Sequence, residues 1–401
     1  MKIAACADLH LDRVPAFLSS GGDYAMRLVA DYVIAHGYDV LLLSGDVMDS
    51  EDSWFSCYGP LVLQLQRLKN AGVHVIAVAG NHDFRVFSQI AGSDSDKLSI
   101  LGHDGKWSFE DFNGVRFIGW SFPDSWFKTD PMLSYDRTLE DFSGPMIGLL
   151  HCDLMSSLHG SNYAGVLSSE LENTKARCWM LGHIHQSGAQ GKAFYCGSPV
   201  PLDRSEKGFH GIWSIEEKNG VLLSPEFVQI SPAVYSDWEI KAGSVHDRQE
   251  LENRIASGCK AAFYSLSDAS AIPLKSVGLN LEFTGATDRN LDLDSALAGI
   301  KDFSLTIEET EVSVTGFTDH TEFDTDLEQL SGRPGPIGVL AKYLLSRSNT
   351  IENGISESLA RVQNGPYFSC LDIKGDNDFD NEIKEAAKRL LRQMLRQEAA
   401  V

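Results

Sequence analysis

The sequence predicts an α/β protein: a two-sheet sandwich flanked by helices, followed by a small α+β capping domain and C-terminal helices. Three observations lead there. Strand-like and helical runs alternate from Met1 to about Ile215, which implies layers of helix and sheet around a shared core. Most of the apolar, β-branched runs in that region stop at an Asp, Asn or His, as in open α/β sheets whose strand-end loops carry the functional groups. Near Ile230 the pattern changes to strands mixed with one or two helices, and the breaker-rich stretch 331–336 (SGRPGP) precedes two more helical runs. The expected domains are therefore 1–230, 231–330 and 331–401.

In chain order, residues 2–7 form the first strand; the run is too short for a signal h-region and leads straight into Asp8. Residues 24–37 place Met26, Val29, Ala30 and Val33 on one helical face and end at Gly37. Strand 40–44 follows, then a helix over 58–72 with Pro60 near its start and Gly72 at its stop. Residues 73–79, 145–150 and 178–181 read as further buried strands. The short, turn-bounded runs 115–121 and 192–196 suit a two-sheet sandwich better than a simple Rossmann sheet. Beyond residue 230 come strand 234–240, helix 246–257, and strand-like 277–284 and 303–315. Helical stretches at 337–345 and roughly 380–399 close the chain.

Composition narrows the function. The hydrophobic share of 43% is ordinary for globular cores, and no window approaches eighteen uninterrupted apolar residues, so no membrane partner is expected. The seven cysteines are scattered without CxxC spacing, which implies reduced, mostly buried thiols and a cytoplasmic protein. Cys152 beside His151 is read as a small core residue rather than a nucleophile. The net charge of −22 argues that the chain alone grips nucleic acid weakly.

Five clusters hold oxygen and nitrogen donors: Asp8-Leu9-His10, Gly45-Asp46, Gly80-Asn81-His82-Asp83, His151 and Gly182-His183-Ile184-His185. Histidines two apart on an extended segment point the same way, so one turn can feed two ions. Gly45 and Gly80 allow close backbone approach. Two divalent ions about 3.5–4 Å apart can activate water, neutralise a phosphate and stabilise the leaving oxygen, and Asp46 is the candidate bridge. Mixed O/N ligation without thiolates points to Mn2+ or another first-row ion. Asp83 either orients His82 or caps its own turn.

The motif order D-x-H, G-D, G-N-H-D, H, G-H-x-H resembles that of the calcineurin-like metallophosphoesterases. The segment 195–202 (YCGSPVPL), with Lys207-Gly208-Phe209 after it, is similar to the SbcD-like nuclease subunits of double-strand-break repair. The resemblance implies that Asp8, His10 and His185 with Asp46 hold one metal, and Asn81, His151 and His183 with Asp46 the other. It implies that His82 contacts the phosphate and protonates the leaving oxygen. It further implies a Mn2+-dependent DNA nuclease acting in end processing, repair or defence. The partner would be an SMC-like coiled-coil ATPase (SbcC-like) clasped by a C-terminal helical region, with a homodimer inside a heterotetramer. The basic, amphipathic stretch around Leu390, Leu391 and Met394 fits that use, or simple packing on its own domain. One departure stands out: where several of these nucleases carry a second catalytic His three residues past the bridging Asp, this chain has Asp49. His159 is a candidate substrate contact. The rivals are a small-molecule phosphodiesterase or phosphatase on the same core, and a non-catalytic regulator of an ATPase.

Overall fold

The computed structural model describes residues 1–50, 52, 54–87, 98–155, 163–243, 245, 247–287, 297, 303–323, 327–345, 386–388, 390–391 and 394–395. His159 and most of the expected helix over 380–399 lie outside the described residues. The chain divides into two compact units, one of Met1–Asp237, Lys260–Asn280 and Phe303–Thr315, the other of Trp238–Cys259, Leu281–Asp302 and Gly316–Val401.

Two sheets dominate the first unit. The strands Lys2–Cys6, Val40–Ser44 and His74–Val78 run parallel at the centre of a seven-stranded sheet. The strands Met146–His151 and Cys178–Gly182 run parallel at the centre of a six-stranded one. Period-two alternation sends successive side chains to opposite faces. Ile3, Ala5, Val40, Leu42, Ile76 and Val78 meet Ile147, Leu149, Cys178 and Met180 between the sheets. Ala4, Cys6, Leu41, Leu43, Val75 and Ala77 face the helices instead, packing with Met26, Val29, Val33, Leu61, Leu65 and Leu68. On the far side of the second sheet, Leu150, Trp179 and Leu181 pack with Trp120, Phe122 and Val166. Strands covered on both faces read as unbroken apolar runs, which is why they stood out in the sequence. The two-sheet sandwich flanked by helices is the fold.

Helix 24–35 carries its predicted face inward and is followed by Gly37 at φ 63°. The next helix is longer than expected, spanning Trp54–Asn70 with Pro60 inside it. Pro60 signals a helix start because proline is best tolerated in a first turn; here the helix begins at Trp54, four residues before the expected start, and forgoes one backbone bond at Pro60. Run 303–315, expected as one strand-like run, is a hairpin of Ser304–Ile307 against Thr310–Phe323. Its turn residues Glu308 and Glu309 both hold positive φ, a conformation for which Asn-Gly is the usual signal. The helix expected over 246–257 spans Arg248–Ala269.

The breaker-rich stretch is a tight turn. It joins helices Leu327–Ser331 and Pro336–Leu345, and Leu330 packs on Ile337 and Ala341 across it. Leu391 is buried in the same small cluster, while its neighbour Leu390 is exposed. Among the described residues, no helix is long and apolar enough to cross a membrane. Six cysteines are free and buried, and Cys370 lies outside the described residues. Burial pushes the Cys152 thiol far above its ordinary pKa, as suits a core residue.

Candidate metal centre

The parallel strands of each sheet end at the same edge, and the donor-bearing loops leave from there. Asp8 follows Lys2–Cys6, Asp46 follows Val40–Ser44, Gly80 follows His74–Val78, His151 ends its strand and His183 follows Cys178–Gly182. Asp8, His10, Asp46 and His183 all adopt positive φ, between 41° and 92°. A non-glycine residue there costs roughly 1–2 kcal/mol. Such strain persists only where the surroundings over-determine it. Here the Asp8, His10 and Leu11 amides donate to the carbonyls of Gly45, Asp46 and Val47 at 3.1, 3.1 and 2.8 Å, lacing the first two loops together.

Three glycines make room for the donors. A Cβ on Gly45 would lie 2.5 Å from the His151 Nδ1, one on Gly182 2.6 Å from the same atom, and one on Gly80 would collide with the Asp46 carboxylate.

Two sets of donors converge. Asp8, His10 and His185 form one, and Asp8, Asp46 and His151 the other, each with its donor atoms within 4.8 Å of one another. Asp8 is therefore common to both sets, a role expected for Asp46 alone. Asp46 still lies centrally, with its Oδ2 3.2 Å from His151 Nε2, 4.0 Å from His10 Nε2 and 3.9 Å from His82 Nε2. Asn81 Oδ1 lies 3.1 Å from His151 Nε2. His183 stands outside both sets. Its amide donates to the Asp8 carboxylate at 3.1 Å, and its Nε2 pairs with Asp153 at 3.2 Å.

The tautomers follow from what each ring's other nitrogen does. His10 Nδ1 meets the Asp49 carboxylate at 3.0 Å, and His185 Nδ1 meets the Glu206 carboxylate at 2.7 Å. Both carboxylates only accept, so both protons sit on Nδ1 and both lone pairs on Nε2. Those two Nε2 atoms face each other at 3.1 Å. Two lone pairs do not meet at that distance without a proton or a cation between them. His151 Nδ1 donates to the Ser44 carbonyl at 3.0 Å, which aims its Nε2 at Asp46 and Asn81. The donor chemistry fits a divalent cation: carboxylate oxygens and imidazole nitrogens, with outer partners that fix each ring.

The electrostatics agree. Burial pushes the Asp8 carboxyl up, the imidazoles of His151, His185 and His10 oppose it, and the net shift is upward. Burial acts on Asp46 too, but His151, His10 and His82 outweigh it and hold the carboxyl below its usual range. Burial disfavours a charged His151, yet Asp46 and Asp8 raise its pKa to about 9.

His82 is partly exposed, and its Nδ1 donates to the Asp49 carbonyl at 2.7 Å. Its Nε2 points the other way, toward the Asp46 carboxylate 3.9 Å away. Asp83 does not orient His82. Its buried carboxylate accepts from the amides of Gly80 at 2.8 Å and Val47 at 2.6 Å, which ties the third loop to the second. Burial, with the nearby Asp46 charge, raises its pKa to about 7. The turn-capping role is the one its geometry supports.

Sequence reasoning missed Glu206 and Asp153, and noted Asp49 only as a departure. Glu206 also accepts from Ser198 Oγ and the Leu202 amide, both at 2.9 Å. Its one local signal is an acidic residue inside the segment after the last His motif.

The profile of the calcineurin-like phosphoesterase family matches residues 1–187. The chain is 22% identical, over an alignment of 420 residues covering 97% of each protein, to the uncharacterized metallophosphoesterase YhaO of Bacillus subtilis. It is 23% identical over 297 residues to the DNA double-strand break repair protein Mre11 of Methanopyrus kandleri, covering 64% of this chain and 63% of that one. Among solved structures it is similar to a dimetal phosphatase from Danio rerio at 12% identity and a TM-score of 0.37, over 58% of this chain and 99% of that one. Residues 1–187, a little under half of the chain, are thus similar to the calcineurin-like phosphoesterases.

Proposed function

We propose that this protein is the nuclease subunit of a DNA end-processing machine, hydrolysing DNA phosphodiester bonds with two Mn2+ ions. The observation that carries the hydrolytic part is the facing pair of Nε2 atoms on His10 and His185, each ring locked by a carboxylate and set beside Asp8. The choice of DNA draws support from the likeness to an archaeal Mre11 over residues that extend past the family profile. Bound divalent ions would polarise the phosphate and supply a hydroxide-like nucleophile at neutral pH.

The chain's own groups do the rest. Asp8, His10, Asp46, Asn81, His151, His183 and His185 present donors at the edge of the two sheets. Asp49 and Glu206 keep His10 and His185 in the ligating tautomer. With both ring nitrogens protonated, His82 would give the Nε2 proton to the departing oxygen and become neutral, its Nδ1–H staying on the Asp49 carbonyl.

With a net charge of −22 the chain repels a phosphate backbone. A partner with a DNA-binding surface, an SMC-like coiled-coil ATPase, would supply the grip, and residues 331–401 are the proposed docking region. The test is incubation of the purified protein, alone and with the ATPase, with labelled single- and double-stranded DNA plus Mn2+. The reading expects metal-dependent cleavage, enhanced by the partner. Hydrolysis of simple phosphodiesters with no cleavage of DNA in either setting would contradict it and favour a small-molecule phosphodiesterase.

A further inference from the structure

We infer that Trp126 and Tyr163 form a stacking platform that seats an unpaired nucleobase next to the metal centre, so that the substrate strand is single-stranded where it is cut. The inference rests on the nuclease reading and specifies its substrate.

Trp126 is 59% exposed, unusual for so large an apolar ring. It is not loose. One face stacks on Tyr163, with centroids 5.4 Å apart and planes at 28°. Tyr163 in turn packs on His183, at 4.7 Å and 39°. The rings thus form a ladder from the metal-binding loop to solvent, with the outer face of Trp126 as its last, open rung.

The backbone holds this arrangement in place. The Trp126 amide donates to the Asp124 carboxylate at 2.8 Å. The next residue, Phe127, turns inward onto Trp120 with centroids 5.0 Å apart. Its carbonyl accepts from the Ala164 amide at 2.6 Å, and the Tyr163 carbonyl accepts from the Asp153 amide at 3.0 Å. Asp153 is the carboxylate paired with His183. The same few residues therefore fix His183 and the two rings above it.

A rigid, half-stacked indole loses little freedom when a flat ring settles on its open face, which makes it a good base receptor. Stacking tolerates any base, as a non-specific nuclease needs. A base inside a duplex already has neighbours on both faces and must be unstacked before it can use Trp126. An unpaired or frayed terminus meets no such barrier. The platform needs no positive charge, which agrees with an acidic chain that grips phosphates poorly.

The test compares wild type, Trp126→Ala and Trp126→Phe on a single-stranded oligonucleotide, and on copies in which one abasic nucleotide is moved stepwise along the strand. Trp126→Ala should lose at least about tenfold in kcat/KM, chiefly through KM, and Trp126→Phe should retain most of it. At one position near the cut, the abasic nucleotide should slow the wild type by a similar factor and leave Trp126→Ala no slower. Bound Mn2+ should be equal in all three proteins. Loss of metal from Trp126→Ala, or abasic penalties identical in wild type and Trp126→Ala, would overturn the inference. If the wild type cleaves no DNA, the nuclease reading fails, and the platform is judged on the p-nitrophenyl ester of thymidine monophosphate against methyl p-nitrophenyl phosphate. A greater Trp126→Ala loss on the thymidine ester then supports the platform, and equal losses overturn it.

Discussion

His10 and His185 point their Nε2 atoms at each other across 3.1 Å, and each ring has its Nδ1 taken by a carboxylate, Asp49 for one and Glu206 for the other. The two residues are 175 apart in sequence. Two independent outer carboxylates aim two lone pairs at one point, and a cation is what such a point is built to receive.

Glu206→Ala and Asp49→Ala should each weaken metal binding by about 10- to 100-fold, the usual scale for removing the partner that orients a ligating His. Titration calorimetry with Mn2+ checks this. Neither variant should disturb His82, because Asp49 holds that ring through its backbone carbonyl. Wild-type affinity in both variants would mean that the rings are held by packing alone.

His82→Ala should keep its metals and lose about 10²-fold or more in turnover, as expected when a general acid is removed. Measuring bound Mn2+ beside the rate separates the two roles. Loss of metal together with activity would make His82 a ligand.

Glycines at the site should tolerate less than glycines elsewhere. Gly80→Ala places a methyl against the Asp46 carboxylate and should abolish high-affinity metal binding. Gly72→Ala meets open space at φ 82° and should cost only the roughly 1–2 kcal/mol of a left-handed alanine. Thermal unfolding and metal titration of both variants give the comparison. Equal metal affinity in the two would place Asp46 outside the metal centre.

Metal affinity should rise with pH. In the metal-free chain Asp46 and Asp8 raise the His151 pKa to about 9, so between pH 7 and 9 an entering ion must displace a proton. Displacing one proton makes apparent affinity climb about tenfold per pH unit until that pKa is passed, and flatten above it. Acid should therefore switch the enzyme off. Calorimetry in buffers of different ionisation enthalpy counts the released proton, and a flat affinity over this range would contradict the coupling between His151 and Asp46.

The parts legible in the sequence were those written in local pattern. Ile3 and Ala5 alternate with Ala4 and Cys6 to cover two faces of one strand, and the burial follows. The donors Asp8, His10, Asp46 and His151 sit at strand ends, where a parallel sheet gathers its loops. What escaped was set by distant contacts. Glu206 reaches His185 only because the chain folds back after the GSP segment. Asp83 sits beside His82 in sequence, yet its carboxylate turns to the Gly80 and Val47 amides. Nothing in a pair of glutamates announces the turn at Glu308 and Glu309. The positive φ at Asp8 and His10 is imposed by the backbone bonds to the neighbouring loop, and propensity does not foresee it.

Asp8 belongs to both donor sets, so a two-ion hydrolytic centre should depend on it. The most direct measurement is the Mn2+ content of the purified protein after equilibrium dialysis, for wild type and for Asp8→Ala, with DNA cleavage assayed on the same samples with and without EDTA. Wild type should hold two ions per chain and Asp8→Ala should hold neither tightly, and cleavage should vanish with EDTA or with the substitution. Two ions retained by Asp8→Ala, or cleavage undiminished in EDTA, would contradict this.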